Sequence, residues 1–82
     1  MKYTREQFDA VIECFDSTIS FAEKIGTVSF NCNPLFDAME ASCRRYCPLY
    51  RKDSSSECLA FYDAQHWQSL KEQFITEHEP ED

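Results

Sequence analysis

Apolar and polar positions recur along the first third of the chain with the step of a helix. Phe8, Val11, Ile12, Phe15, Ile19, Ala22 and Ile25 follow one another at intervals that are mostly three or four residues, and at 100° per residue these share one stripe. Thr4-Arg5-Glu6-Gln7, just ahead of them, has the form of a capping box: the Thr hydroxyl accepts from the N3 amide and the Gln side chain reaches back to the cap's own N–H. Gly26, the only glycine in the chain, stands where a residue of positive φ ends a helix. The pattern predicts a helix over residues 4–25.

The next stretch, Thr-Val-Ser-Phe-Asn-Cys at 27–32, is β-branched and aromatic enough to run extended. With no second segment of that kind to pair with, it reads as a connecting loop that packs Val28 and Phe30. Asn33-Pro34 then offers an N-cap followed by Pro at N1. Leu35, Phe36, Met39, Cys43 and Tyr46 keep helical spacing until Pro48, giving a second helix over roughly 34–46. Residues 48–56 are a polar loop in which Ser54 and Glu57 form a second capping box, or Ser56 caps alone. Ala60, Ala64, Trp67, Leu70 and Phe74, with Leu59, Phe61 and Ile75 alongside, predict a third helix over 56–76. The acidic remainder with Pro80 reads as frayed, His78 included. The expectation is an all-α fold, a small three-helix bundle: one helical domain over 1–77 and an acidic tail over 78–82.

Composition narrows the class. Hydrophobic residues are 43% and aromatics 15% of 82 residues, too much buriable surface for an acidic disordered tail. A chain of this length makes one domain and buries only about 60% of its unfolded surface, which disfavours an enzyme with a deep cleft. One glycine and three prolines leave little turn chemistry for a many-stranded sheet. The N-terminus lacks the apolar core of an export signal, and no apolar run is long enough to cross a bilayer. With an odd five cysteines, the expected setting is cytoplasmic, with reduced thiols and no membrane partner.

Charge is unevenly placed. The formal net charge is −7. Residues 1–40 hold three cations and seven anions, 41–52 four cations and no anion, and 53–82 one cation and eight anions. Direct nucleic-acid binding is disfavoured, since counterion release needs clustered cations over the whole contact face. On the first helix Glu6, Asp9, Glu13, Asp16 and Glu23 line the side opposite the apolar stripe. Neighbouring carboxylates from Glu6 to Asp16 are separated by roughly 4.5–6 Å of rise, close to the phosphate spacing of one nucleic-acid strand. A charged outer face is ordinary for a surface helix. The bias in sign is not, Lys24 being the cation beside the row, and like charges at this spacing mildly destabilise a helix. Between the acidic segments, Arg44, Arg45, Arg51 and Lys52 form a basic island, and Arg44, Arg45, Tyr50 and Arg51 are expected to form a secondary partner-binding surface. Arg44 and Arg45 also sit where cations complement a helix dipole.

Cys32, Cys43, Cys47 and Cys58 are spaced C-x10-C-x3-C-x10-C. If the second helix is continuous, Cys32 and Cys43 are about 16 Å apart along its axis, too far to share one zinc. Cys43, Cys47 and Cys58 flank one loop and can converge there, although a fourth ligand is missing. Cys47-Pro48 is similar to the Cys-Pro that closes some iron–sulfur runs. Cys14 reads as a packing residue. His66 with Cys58 or Cys47 lacks a third, orienting group, so no catalytic residue is assigned and the protein is expected not to be an enzyme. His66-Trp67 reads as a packing pair.

In size and charge alone the chain resembles the small acidic inhibitors that phages direct against host nucleic-acid enzymes, the anti-restriction and anti-CRISPR proteins. The resemblance implies an inhibitor that binds a protein by presenting a DNA mimic to its basic nucleic-acid groove. The alternative is an adaptor module stabilised by zinc or an iron–sulfur group through Cys43, Cys47 and Cys58. Leu49-Tyr50, read as an exposed apolar remainder, suits a homodimer contact.

Overall fold

The computed structural model describes residues 3–39, 49 and 60–78. Their order is α1 (Arg5–Ile25), β1 (Thr27–Val28), α2 (Asn33–Met39), β2 (Tyr62–Asp63) and α3 (Ala64–His78). The described chain is mostly helical, with one short two-stranded sheet.

Helix α1 forms where its pattern predicts and for the predicted reasons. Thr4 Oγ1 accepts from the Gln7 amide at 3.1 Å, while Gln7 Oε1 accepts from the Thr4 amide at 3.1 Å. At the other end Gly26 has φ 106° and its amide donates to the Ala22 carbonyl at 2.8 Å. A side chain there would meet no neighbour, so the glycine serves the backbone conformation alone. The buried stripe is Phe8, Ala10, Val11, Cys14, Phe15, Thr18 and Ala22. Its centre therefore runs through Cys14 and Thr18, and Ile25, at the end of the predicted stripe, is 71% exposed.

The segment after α1 corrects the loop expected over 27–32. Thr27 and Val28 pair antiparallel with Asp63 and Tyr62. The partner strand lies inside the segment 56–76 whose spacing predicts a third helix, so the sequence pattern offers no second strand. Val28 and Phe30 pack against the core as expected. Helix α2 includes Asn33, one residue earlier than read, and the Asn33 amide is taken by Asn31 Oδ1 at 3.2 Å. Residues 40–46 of the predicted second helix lie outside the described residues, as do the Ser54–Glu57 caps.

Helix α3 starts at Ala64, not near 56. Asp63 ends the strand and caps the helix, its Oδ1 accepting from the His66 amide at 2.9 Å. The helix continues to His78, which is packed rather than frayed: its ring lies 5.4 Å from that of Tyr3 and 5.2 Å from that of Phe74.

The core is aromatic. Phe74 stacks on Phe8 at 5.1 Å, Tyr3 meets Phe74 edge-on at 5.3 Å, and Phe15 meets Phe30 at 5.0 Å, arrangements worth about 0.5–1.5 kcal/mol per pair beyond burial. Trp67 is fully buried, and its Nε1–H donates to the Val28 carbonyl at 2.9 Å, tying α3 to β1. Leu49, expected at the surface, is only 8% exposed and belongs to this core. Among the described residues no helix is long and apolar enough to cross a membrane.

Candidate partner-binding face

Helix α1 is held from the inside. Its apolar stripe packs on α2 on one flank and α3 on the other, and the connection to α2 is polar as well: Asn31 Nδ2 donates to Ser17 Oγ at 2.8 Å, and the Asn31 amide to Thr18 Oγ1 at 2.8 Å. This leaves the opposite face to solvent. Glu6, Asp9, Glu13, Asp16 and Glu23 are all exposed on it. Steps of three, four and three residues separate the first four, so a fixed backbone carries their carboxylates in a row about 15 Å long by rise.

The row is less uniform than its sequence suggests. Lys71 of α3 donates to Asp16 Oδ1 at 2.6 Å, a 55-residue contact that no local spacing reveals. Asp16 therefore anchors α3 while Glu6, Asp9 and Glu13 form the continuous acidic stretch. Exposed ion pairs of this kind contribute only about 0.2–1 kcal/mol, so the anchoring is chiefly positional.

A second surface feature is an open groove of about 490 Å³ along the outer side of α3, lined by Asp63, Gln65, His66, Ser69, Leu70 and Gln73. His66 is stacked on Tyr62 at 3.8 Å, with 19° between the ring planes. The expected His66-Trp67 pair is thus divided: Trp67 faces the core and His66 the solvent.

The remaining site expectations fall elsewhere. Arg44, Arg45, Tyr50 and Arg51, and the cysteines Cys43, Cys47 and Cys58, lie outside the described residues. Among the described residues no group of three or more His, Cys, Asp or Glu side chains gathers as a metal site. Cys14 is the buried packing residue its spacing suggested. Its thiol is pushed up to about 12, first by burial, and the nearby Cys32 and Glu13 act in the same direction. No protein-family model, curated protein or solved structure matches this chain.

Proposed function

We propose that this is a small cytoplasmic three-helix bundle that binds and inhibits a protein carrying a basic nucleic-acid groove, using the outer face of α1 as a mimic of the phosphate row. The exposure of Glu6, Asp9 and Glu13 on one side of a helix whose other side is locked into the core carries this reading. A rigid carrier matters because the carboxylates then meet a groove without an ordering cost at binding. Their field speeds encounter with a cationic partner and makes association sensitive to salt. Glu23 extends the face by nearly two further turns, and Asp16 contributes least because Lys71 already holds it.

The test uses immobilised wild-type protein and an Asp9→Lys/Glu13→Lys double variant, both presented to a nuclease-treated lysate of the source cells. The wild type is expected to retain nucleic-acid-binding proteins that added duplex DNA displaces. The variant, with unchanged circular dichroism, is expected to retain none of them. Equal retention by both proteins, or retention that DNA does not disturb, would overturn the proposal.

A further inference from the structure

The 31–35 segment is fastened to the middle of α1 at both of its ends. Before it, the Asn31 amide donates to Thr18 Oγ1 at 2.8 Å, and that hydroxyl donates in turn to the Cys14 carbonyl at 2.7 Å. After it, the Leu35 amide donates to Cys14 Sγ at 3.3 Å. Between these ties lie Cys32, Asn33 and Pro34, and Cys32 is partly buried and packed against the same core. Both cysteines carry thiols. Cys14 is sealed from solvent and Cys32 is partly exposed, and the bonds at Asn31 and Leu35 hold the segment that carries Cys32 against the turn of α1 that carries Cys14.

We propose that Cys14 and Cys32 are a redox-active pair, a modification site that a low-molecular-weight disulfide such as oxidised glutathione closes to an intramolecular disulfide. The Cys32 thiolate attacks one sulfur of the oxidant; the oxidant's S–S bond breaks and one glutathione thiolate leaves and takes up a proton. Cys14 then loses its proton and attacks the Cys32 sulfur of the mixed disulfide, forming the internal S–S bond and expelling the second glutathione. In total the two protein thiols give up two protons and two electrons, and oxidised glutathione becomes two reduced molecules. Burial fixes the order: with no exposed surface, Cys14 cannot meet the oxidant and is reached only through its neighbour. The same burial makes the second step slow near neutrality, because only the thiolate is a nucleophile.

Incubating the folded 82-residue chain with oxidised glutathione at neutral and mildly alkaline pH, followed by acid quench, alkylation and peptide mass mapping, tests the pair. The expected product joins the Cys14 and Cys32 peptides with the loss of two hydrogens, preceded by a glutathione adduct on Cys32. Closure of that adduct is expected to accelerate about tenfold for each pH unit, following the Cys14 thiolate fraction. In a Cys32→Ser variant, which keeps Cys14 in the core, Cys14 is expected to stay reduced. The inference fails if Cys32 joins Cys43, Cys47 or Cys58 instead, if no adduct forms or the adduct never closes, or if Cys14 is modified in the Cys32→Ser protein.

Discussion

Thr18 and Cys14 share one turn of α1 and show how single polar atoms are accommodated in this core. The Thr18 hydroxyl is fully buried yet both donates and accepts, so its desolvation is compensated on each side. The Cys14 thiol is compensated differently: it stays neutral and accepts one weak bond from Leu35. This has a consequence for alkaline stability. The unfolded thiol ionises near 9.0 and the folded one near 12, so between those values the unfolded chain releases a proton that the folded protein keeps. The contribution is complete below about 9 and is lost as pH rises towards 12, with a slope approaching about 1.4 kcal/mol per pH unit. Urea denaturation of the wild type and a Cys14→Ala variant across this range measures it: the wild type is expected to lose stability more steeply, and parallel curves would exclude the linkage.

At the scale of elements, α1 organises the fold by packing on both α2 and α3, and one long-range bond ties α3 to β1. Trp67→Phe keeps most of the ring volume but leaves the Val28 carbonyl without its indole donor. The expected cost is about 1–3 kcal/mol, read as a lower denaturation midpoint by circular dichroism, and an unchanged midpoint would mean the bond contributes nothing. Helix α1 was legible in the sequence because every determinant is local: the Thr4–Gln7 box, the apolar step and Gly26. The β1–β2 ladder was not, because two residues of strand carry no period of their own. Tyr62-Asp63 fall inside the segment that the spacing of Ala60, Ala64, Trp67, Leu70 and Phe74 assigns to one helix, although Asp63 is itself a good N-cap and marks the true start. His78 was misplaced for a related reason: acidic neighbours suggested fraying, while its partners Tyr3 and Phe74 come from both ends of the chain.

For the molecule as a whole, net charge is the dominant property. The acidic face of α1 could be read directly from spacing, since exposure follows from what the apolar stripe buries. The pairing of Asp16 with Lys71 could not, because it depends on how α3 lies against α1. A charge of −7 on so small a body opposes its own folding. Raising ionic strength from 0.01 M to 0.15 M shortens the screening length from about 30 Å to about 8 Å. Melting temperature is therefore expected to rise by several degrees, about 4–8 °C for each kcal/mol of repulsion relieved, and a fall would show that attractive pairs outweigh the like charges. The bond between Trp67 and the Val28 carbonyl, spanning 39 residues, also orders events in time. Helix α1 can assemble from neighbours alone, whereas this bond must wait until the intervening chain has been gathered against the entropy of closing it. The sole tryptophan thus reports a long-range stage of folding, and its burial is expected to trail the appearance of helix α1.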